Sequence, residues 1–412
     1  MKIYIAVLLL LMLLSLRFFF FFTSHHGYND GEEVEFTARV TQEPKLSSHG
    51  QQFSLRTPHN DTVYITTMIF PRFQYGDTII VKGKITVKQT KNSHKIFTTV
   101  YPEIKRLDYE DNLFTSIAIF IRQRSTLLYN QTLDPISSGL LLGIVFGAKA
   151  DFPQDFIQQL RTTGVLHVIA ASGMNVSFFT GAVMFSLGTI FTRRISLILS
   201  VIAVILYSFL VGAQASILRA SIMAMIAFTA SFFGRQNIAV LGLFLTGAGM
   251  ILYDPGFIFD VGFQLSFLAT LGILLVKPLI DSVKGVDRLK GLKEDLSTTL
   301  SAQVATFPIL LGTFGTFGVL SVLVNMLVLW TVPILMLFGS LAVIIGLVVP
   351  PLGKILLLLS LPFLLFFEAV VRFFGSLGWN LQLDGLPWEM MVGYYLVLAA
   401  VMLLIQKKKS HS

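Results

Sequence analysis

GVLHVIAASGMNVSFFTGAVMFSLGTIF, residues 164 to 191, is the stretch on which the fold turns. It exceeds the roughly 20 residues that cross a hydrocarbon core, and no Asp, Glu, Lys or Arg interrupts it. Its first half nevertheless holds His167, Ser172 and Asn175. Lipid offers polar groups no hydrogen bonds, so a spanning helix keeps such side chains only where they pack against other helices or perform work.

The rest of the chain agrees with a membrane setting. Of 412 residues, 54% are hydrophobic and only 13% are charged, which excludes a soluble globule of this size. Apolar runs recur at about 3–22, 164–191, 195–213, 215–233, 236–253, 256–276, 298–316, 318–349, 352–373 and 387–406. The expected fold is a polytopic α-helical membrane protein of about ten spans, with the 318–349 run long enough to be tilted or broken near Pro333. Arg193, Arg194, Arg235, Lys277, Lys284, Arg288, Lys290, Lys293, Lys354 and Lys407 to Lys409 then fall on one side, Arg372 being the exception. The positive-inside rule makes that side, and both termini, cytoplasmic in a bacterial inner membrane. It also accounts for much of the net charge of +8. With no cysteine, disulfides and thiolate metal sites are excluded.

Residues 1–27 read as an uncleaved anchor, with Arg17 snorkelling to the outer surface. Residues 28–108 change to short alternating runs such as VEFTARVT and DTIIVKGKITVK, the pattern of a small extracytoplasmic β domain, here a five-stranded OB-like barrel. Its 11 basic and 9 acidic side chains nearly cancel, so it carries no electrostatic footprint for DNA. Residues 109–163 read as interfacial amphipathic helices, with Arg122, Arg124, Lys149 and Arg161 as interfacial basic residues. The run SSGLLLGIVFGAK between them is too short to cross, and is expected to re-enter or lie on the surface. The helical membrane domain proper occupies 164–409.

Chemistry alone leaves the polar stretch open between interhelical packing and function. Its context is more specific: GAKADFPQDFIQQLRTTGVLHVIAASGMNVSFFTG is followed by SILRASIMA, DVGFQLSFLATLGILL and LSAQVATFPILLGTFGTFGVLSVLVNML. In order and spacing these resemble the membrane domain of the ComEC competence-protein family over residues 136 to about 350. The resemblance implies an inner-membrane channel for single-stranded DNA during natural transformation. It carries a DNA path over to His167, Ser172 and Gly173, to Arg219 of the Leu-Arg-Ala motif, and to Gln264 and Ser266 of Gly-Phe-Gln-Leu-Ser-Phe. Asn175 and Asp260 are placed on the same path, although Asn175 stands where the family often has a second histidine, and Ala148 stands where an acidic residue commonly precedes the basic one. Many members append a metallo-β-lactamase-like nuclease, whereas this sequence stops at QKKKSHS, so strand degradation is expected from a separate nuclease.

No metal or other cofactor is expected, and no enzyme. An intramembrane serine hydrolase needs a base near Ser172, but His167 precedes it by five residues, ~140° away on one helix. A secondary transporter of a small solute remains an alternative, since broken helices with Gly and polar groups also build substrate sites. Without a G-x-x-x-x-G-K-[ST] loop the chain is expected to rely on a cytoplasmic ATP-driven motor, alongside an external DNA receptor, its other partners being single-stranded DNA and membrane lipid. The loop at 279–297 is either a docking surface or a solvated connector. His167, Arg219, Asp260 and Glu368 fall at one outer-leaflet level. This is read either as a vestibule in which Arg219, braced by Asp260, meets phosphate above Gln264 and Ser172, or as a helix-gluing Arg219–Asp260 pair.

Reporter fusions after Lys409 and within 279–297 should report cytoplasm, and one near Gly50 the exterior. Finding either of the first two on Gly50's side would overturn this topology.

Overall fold

The computed structural model describes residues 2–24, 28–40, 44–47, 50–57, 62–73, 76–89, 95–107, 113–148, 152–169, 172–212, 215–234, 239–282, 293–318, 320–382 and 387–410. Two compact units divide it: Met1–Ser125 with Ala148–Asp151 and Ile251–Gly256, and Thr126–Gly147 with Phe152–Met250 and Phe257–Ser412.

The first unit opens with α1 (Lys2–Ser24). Arg17 does more than snorkel: its Nε and Nη2 donate to the carbonyls of Leu252 and Tyr253, each at 3.0 Å. Among the described residues eight strands follow: β1 (Glu33–Arg39), β2 (Lys45–Ser47), β3 (Gly50–Arg56), β4 (Thr62–Thr67), β5 (Thr78–Lys84), β6 (Thr86–Gln89), β7 (Lys95–Val100) and β8 (Glu103–Leu107). They form two sheets, β1-β5-β8 and β2-β3-β4-β7-β6, antiparallel except for β4 against β7. Every second residue points inward, so Val63, Ile65, Ile79, Val81, Leu55 and Phe97 share one core.

The bundle consists of α2 (Leu113–Thr132), which runs from the first unit into the second, α3 (Pro135–Phe146), α4 (Gln154–Thr162), α5 (Leu166–Ile169), α6 (Gly173–Ile190), α7 (Arg193–Val211), α8 (Ala215–Phe232), α9 (Ala239–Tyr253), α10 (Val261–Leu275), α11 (Lys277–Ile280) and α12 (Lys293–Phe314). The short strand β9 (Thr316–Gly318) follows, then α13 (Ser321–Val328), α14 (Thr331–Gly346), α15 (Pro350–Ser376), β10 (Asn380–Gln382), paired with β9, and α16 (Trp388–Ser410). Among the described residues six helices are long and apolar enough to cross a membrane. The bent pair α13 and α14, at 45°, makes a seventh if it is one span, and Leu8–Thr23, Pro135–Phe146 and Ala239–Tyr253 are apolar but shorter. This is a multi-pass membrane protein, with Phe185, Ile198, Ile202 and Phe209 exposed on the outer faces of α6 and α7.

The 164–191 run is not one helix, because α5 ends at Ile169 and α6 starts only after Ser172. The 318–349 run is broken near Pro333, as expected, and Pro333 sits in the first turn of α14, where its missing N–H costs little. The run expected to re-enter or lie on the surface does not lie on the surface: it folds as α3, whose residues Ser137 to Phe146 are all buried, packed against α14, α15 and α7. Being apolar on every side, it has no face to offer water.

Where α12 departs from ideal hydrogen bonding, a neighbour compensates. Pro308 lies inside it and brings no N–H to the carbonyl of Val304. The Tyr394 hydroxyl, on α16, donates to that oxygen at 2.9 Å. Tyr395 makes the matching bond to Ala305, which already faces the N–H of Ile309. Tyr394→Phe should therefore lower unfolding stability in detergent by about 1 kcal/mol, and Tyr395→Phe by less. In a Pro308→Ala background the Tyr394→Phe cost should largely vanish.

Candidate functional site

α3 ends inside the protein, so its last carbonyls need donors other than water. At its start Asp134 caps the N–H groups of Ile136 and Ser137 through one carboxylate oxygen. At its end Gly147, in the left-handed region at φ 63°, returns its N–H to Gly143. The remaining carbonyls are met from two other helices: Asn175 Nδ2 donates to Ile144 at 2.9 Å, and the Tyr207 hydroxyl to Val145 at 3.2 Å. Tyr207 also stacks on Phe179, with ring centroids 4.4 Å apart, tying α7 to α6.

Asn175 holds its place because Ser172 is the N-cap of α6. The Ser172 hydroxyl donates to Asn175 Oδ1 at 3.0 Å and accepts from the Asn175 N–H at 3.4 Å. The side chain of Asn175 is thus buried, with its amide bonded on both sides. Next to the cap, a Cβ on Gly173 would lie 2.8 Å from Arg219 Nη2, so only glycine lets the guanidinium lie against the first turn of α6.

Arg219, on α8, is only 5% exposed. Its Nε and Nη2 donate to the Ser266 hydroxyl on α10 at 2.9 and 2.6 Å, and Nη1 lies 3.3 Å from the Met223 sulfur. Among the described residues no carboxylate pairs with it. The expected Arg219–Asp260 pair does not form: Asp260 is exposed and caps α10, accepting from the Phe263 N–H at 2.7 Å. Both readings that leaned on the pair, the braced vestibule and the glued helices, lose that support. Gln264 turns back to the Ile258 carbonyl at 2.7 Å.

A Cβ on Gly318 would fall 2.1 Å from the Thr162 carbonyl, and one on Gly164 2.7 Å from Ser321 Cβ, so the chain between α4 and α5 and the chain from β9 to α13 touch backbone to backbone. Gln303 donates to the Ser321 hydroxyl at 3.0 Å, and His167, exposed, bonds through Nδ1 to the Gly164 carbonyl at 2.9 Å. Interrupted helices at membrane depth are tolerated where they are buried in protein or line a wet cavity.

The interfacial arginines divide. Arg124 is exposed over the Phe120 ring, 5.5 Å from its centroid, and Arg161 is exposed in the last turn of α4. Arg122, expected at the polar edge, is 6% exposed and packed inward. Lys149 lies outside the described residues. Arg372, the exception to the sorting of basic residues, is accounted for by its neighbours: it donates to Glu368 at 2.7 Å, lies 3.7 Å from Asp155 and covers the Phe156 ring at 5.2 Å, clamping α4 to α15. No sequence signal pointed to Tyr207, Met223 or this clamp. The donor of Tyr207 and the sulfur of Met223 become relevant only once α7 lies beside α3 and Arg219 turns along its own helix.

The family model for competence proteins matches residues 144–408, from the carbonyl that Asn175 bonds to the end of α16. The chain belongs to the Competence protein family. Among curated proteins, ComE operon protein 3 of Bacillus subtilis (strain 168) is 29% identical over 221 residues, 53% of this chain and 28% of that protein. An uncharacterized protein of Aquifex aeolicus (strain VF5) is 29% identical over 335 residues, 81% of this chain and 74% of that one. The match thus spans little more than a quarter of the Bacillus protein. No solved structure matches. For this competence protein the family match covers every residue of the Ser172–Arg219–Ser266 cluster and leaves the β domain outside it.

A buried cation bonded only to a hydroxyl and a thioether is costly to the fold. Arg219→Met, similar in length and uncharged, should leave thermal stability in detergent unchanged or raised. Ser266→Ala, which strips the guanidinium of its oxygen acceptor, should lower it by about 1 to 3 kcal/mol.

Proposed function

We propose that this competence protein conducts single-stranded DNA across the inner membrane during natural transformation, and that Arg219 is a phosphate contact on the path. The carrying observation is the state of Arg219: a buried guanidinium whose partners are all neutral. Of its five N–H donors three are used, by Ser266 and Met223, which leaves two without a partner among the described residues. A charge retained at such cost without a counterion is suited to an anion that passes, and the planar fork of arginine matches a phosphate diester. The positive end of the α6 dipole, beside Gly173, acts in the same direction.

Ser172, Gly173 and Ser266 hold this contact in place. His167 and Gln264, each bonded to a nearby carbonyl, belong to the surrounding wall, and Asp260 to the capped start of α10. The path runs past the close approach of residues 162–164 to residues 318–321, where backbone rather than side chains sets its width. The β domain is an OB-type barrel outside the membrane, a reading supported by its two sheets and the parallel β4–β7 pair. In this reading the chain crosses ten times with both termini in the cytoplasm. It works as a conduit and not as an enzyme: an external receptor delivers DNA, a cytoplasmic ATP-driven motor pulls it, and a separate nuclease removes the other strand.

Uptake of labelled DNA in cells carrying Arg219→Met, at wild-type protein level in the membrane, tests this directly. Uptake should fall to the background of a deletion strain, while Arg219→Lys should retain part of it because the charge remains. Undiminished uptake by the Met variant would remove Arg219 from the path. A deletion strain that takes up DNA normally, yet fails on one compound of a small-solute panel, would replace the channel with a transporter.

A further inference from the structure

Between β4 and β5 the β domain carries the sequence Met68-Ile69-Phe70-Pro71-Arg72, and its apolar side chains point away from the core: Met68 is 66% exposed and Phe70 73%. Tyr101 and Val100, at the end of the neighbouring strand β7, are exposed beside them, with the Tyr101 N–H bonded to Thr66. Exposed apolar clusters of this kind in a folded domain mark a surface that something covers.

The loop backbone indicates what covers it. Gln51, 1% exposed, reaches into the loop from β3, and its Nε2 donates to the carbonyls of Met68 at 2.8 Å, Pro71 at 2.6 Å and, more weakly, Ile69 at 3.5 Å. Its Oε1 accepts the Phe73 N–H at 3.1 Å, while Pro71 has no N–H to satisfy. Phe73, buried against Phe53, fixes the loop's end. A loop in water needs no such internal partner, since water bonds its carbonyls. A loop that enters a hydrocarbon layer does.

Two further observations bear on the occupant. Arg72 lies over the Phe70 ring, 5.7 Å from its centroid, and on α2 Arg124 lies over Phe120 in the same way. An aromatic side chain with a cation stacked on it suits the boundary where tails give way to anionic headgroup phosphates. Gly76, three residues past Phe73 in the sequence, is close enough to α2 that an added Cβ would fall 2.3 Å from Ile119, on the helix that exposes Ile117 and Phe120. A nucleic acid would call for several cations around the aromatic rings, and this loop supplies Arg72 alone.

We propose that residues 68–72 form a lipid-binding site that inserts Met68, Ile69 and Phe70 beneath the headgroups of the membrane the chain itself spans, with Arg72 at the level of the phosphates. The loop ties the β domain to the bilayer at a second point besides its chain connections.

Because the chain has no cysteine, single cysteines report without interference. Met68→Cys and Phe70→Cys in the full-length protein, labelled with an environment-sensitive fluorophore and reconstituted in vesicles, should emit to the blue of the same label at Thr62→Cys on exposed β4. They should be quenched by nitroxide-bearing lipid and shielded from aqueous iodide. Ile198→Cys, on the outer face of α7, verifies that lipid quenching operates in the same vesicles. Labels at 68 and 70 that iodide quenches as fully as the one at 62, with no lipid quenching while 198 responds, would overturn the proposal. So would shielding that appears only on adding a single-stranded oligonucleotide, which would assign the face to nucleic acid.

Discussion

A helix of twelve residues, buried on all sides, ends where water cannot reach its final carbonyls, and the bundle is arranged around that problem. α3 is too short to carry its C-terminus out to a surface. Its end is closed by a left-handed glycine and by two side chains, Asn175 from α6 and Tyr207 from α7. Both bonds are directional, so they set the height and rotation of α6 and α7 against α3. The cap Ser172 then has one position, and through Gly173 so does the face of α8 that bears Arg219. The cluster with functional potential therefore stands on a structural requirement that has nothing to do with a substrate.

Three arginines in apolar surroundings are housed in three ways, and the contrast gives Arg219 its meaning. Arg17 is held by two backbone carbonyls at the end of a helix, where the dipole favours a cation. Arg372 has a carboxylate one turn away, a second across the helix contact and an aromatic face beneath it. Each is neutralised or satisfied within the protein, and each ties elements together. Arg219 has a hydroxyl and a sulfur. Its charge is the one in this comparison that neither a carboxylate nor a helix end balances, which is why the phosphate contact is proposed for Arg219 and not for the other two.

The β domain and the bundle meet the same shortage of hydrogen-bond partners with the same kind of device, a buried amide. Gln51 satisfies the carbonyls of an exposed apolar loop as Asn175 satisfies the end of a buried helix. An amide serves in both places because it both donates and accepts without carrying charge, so its own desolvation is offset by the bonds it makes.

Composition and the length of its apolar runs determined that this chain is a multi-pass membrane protein with a small β domain near its start, because hydrophobic length and strand alternation are local properties that each segment carries alone. The ordered motifs around His167, Arg219 and Gln264 were enough to indicate the competence family. The sequence also located the polar cluster, since Ser172, Gly173, Arg219 and Ser266 do come together. What it could not supply was who bonds to whom. Asp260 looked like the partner of Arg219 because opposite charges at one depth attract, yet a helix N-terminus one residue away holds that carboxylate and Ser266 takes the guanidinium. Likewise the length of α3 left open whether it lies on the surface, because length does not reveal which neighbour fills the space around a segment. Those choices depend on residues far apart in the chain, such as Ile144 with Asn175 or Asp155 with Arg372. Only the packed structure brings such pairs within the roughly 3 to 4 Å over which hydrogen bonds and ion pairs act.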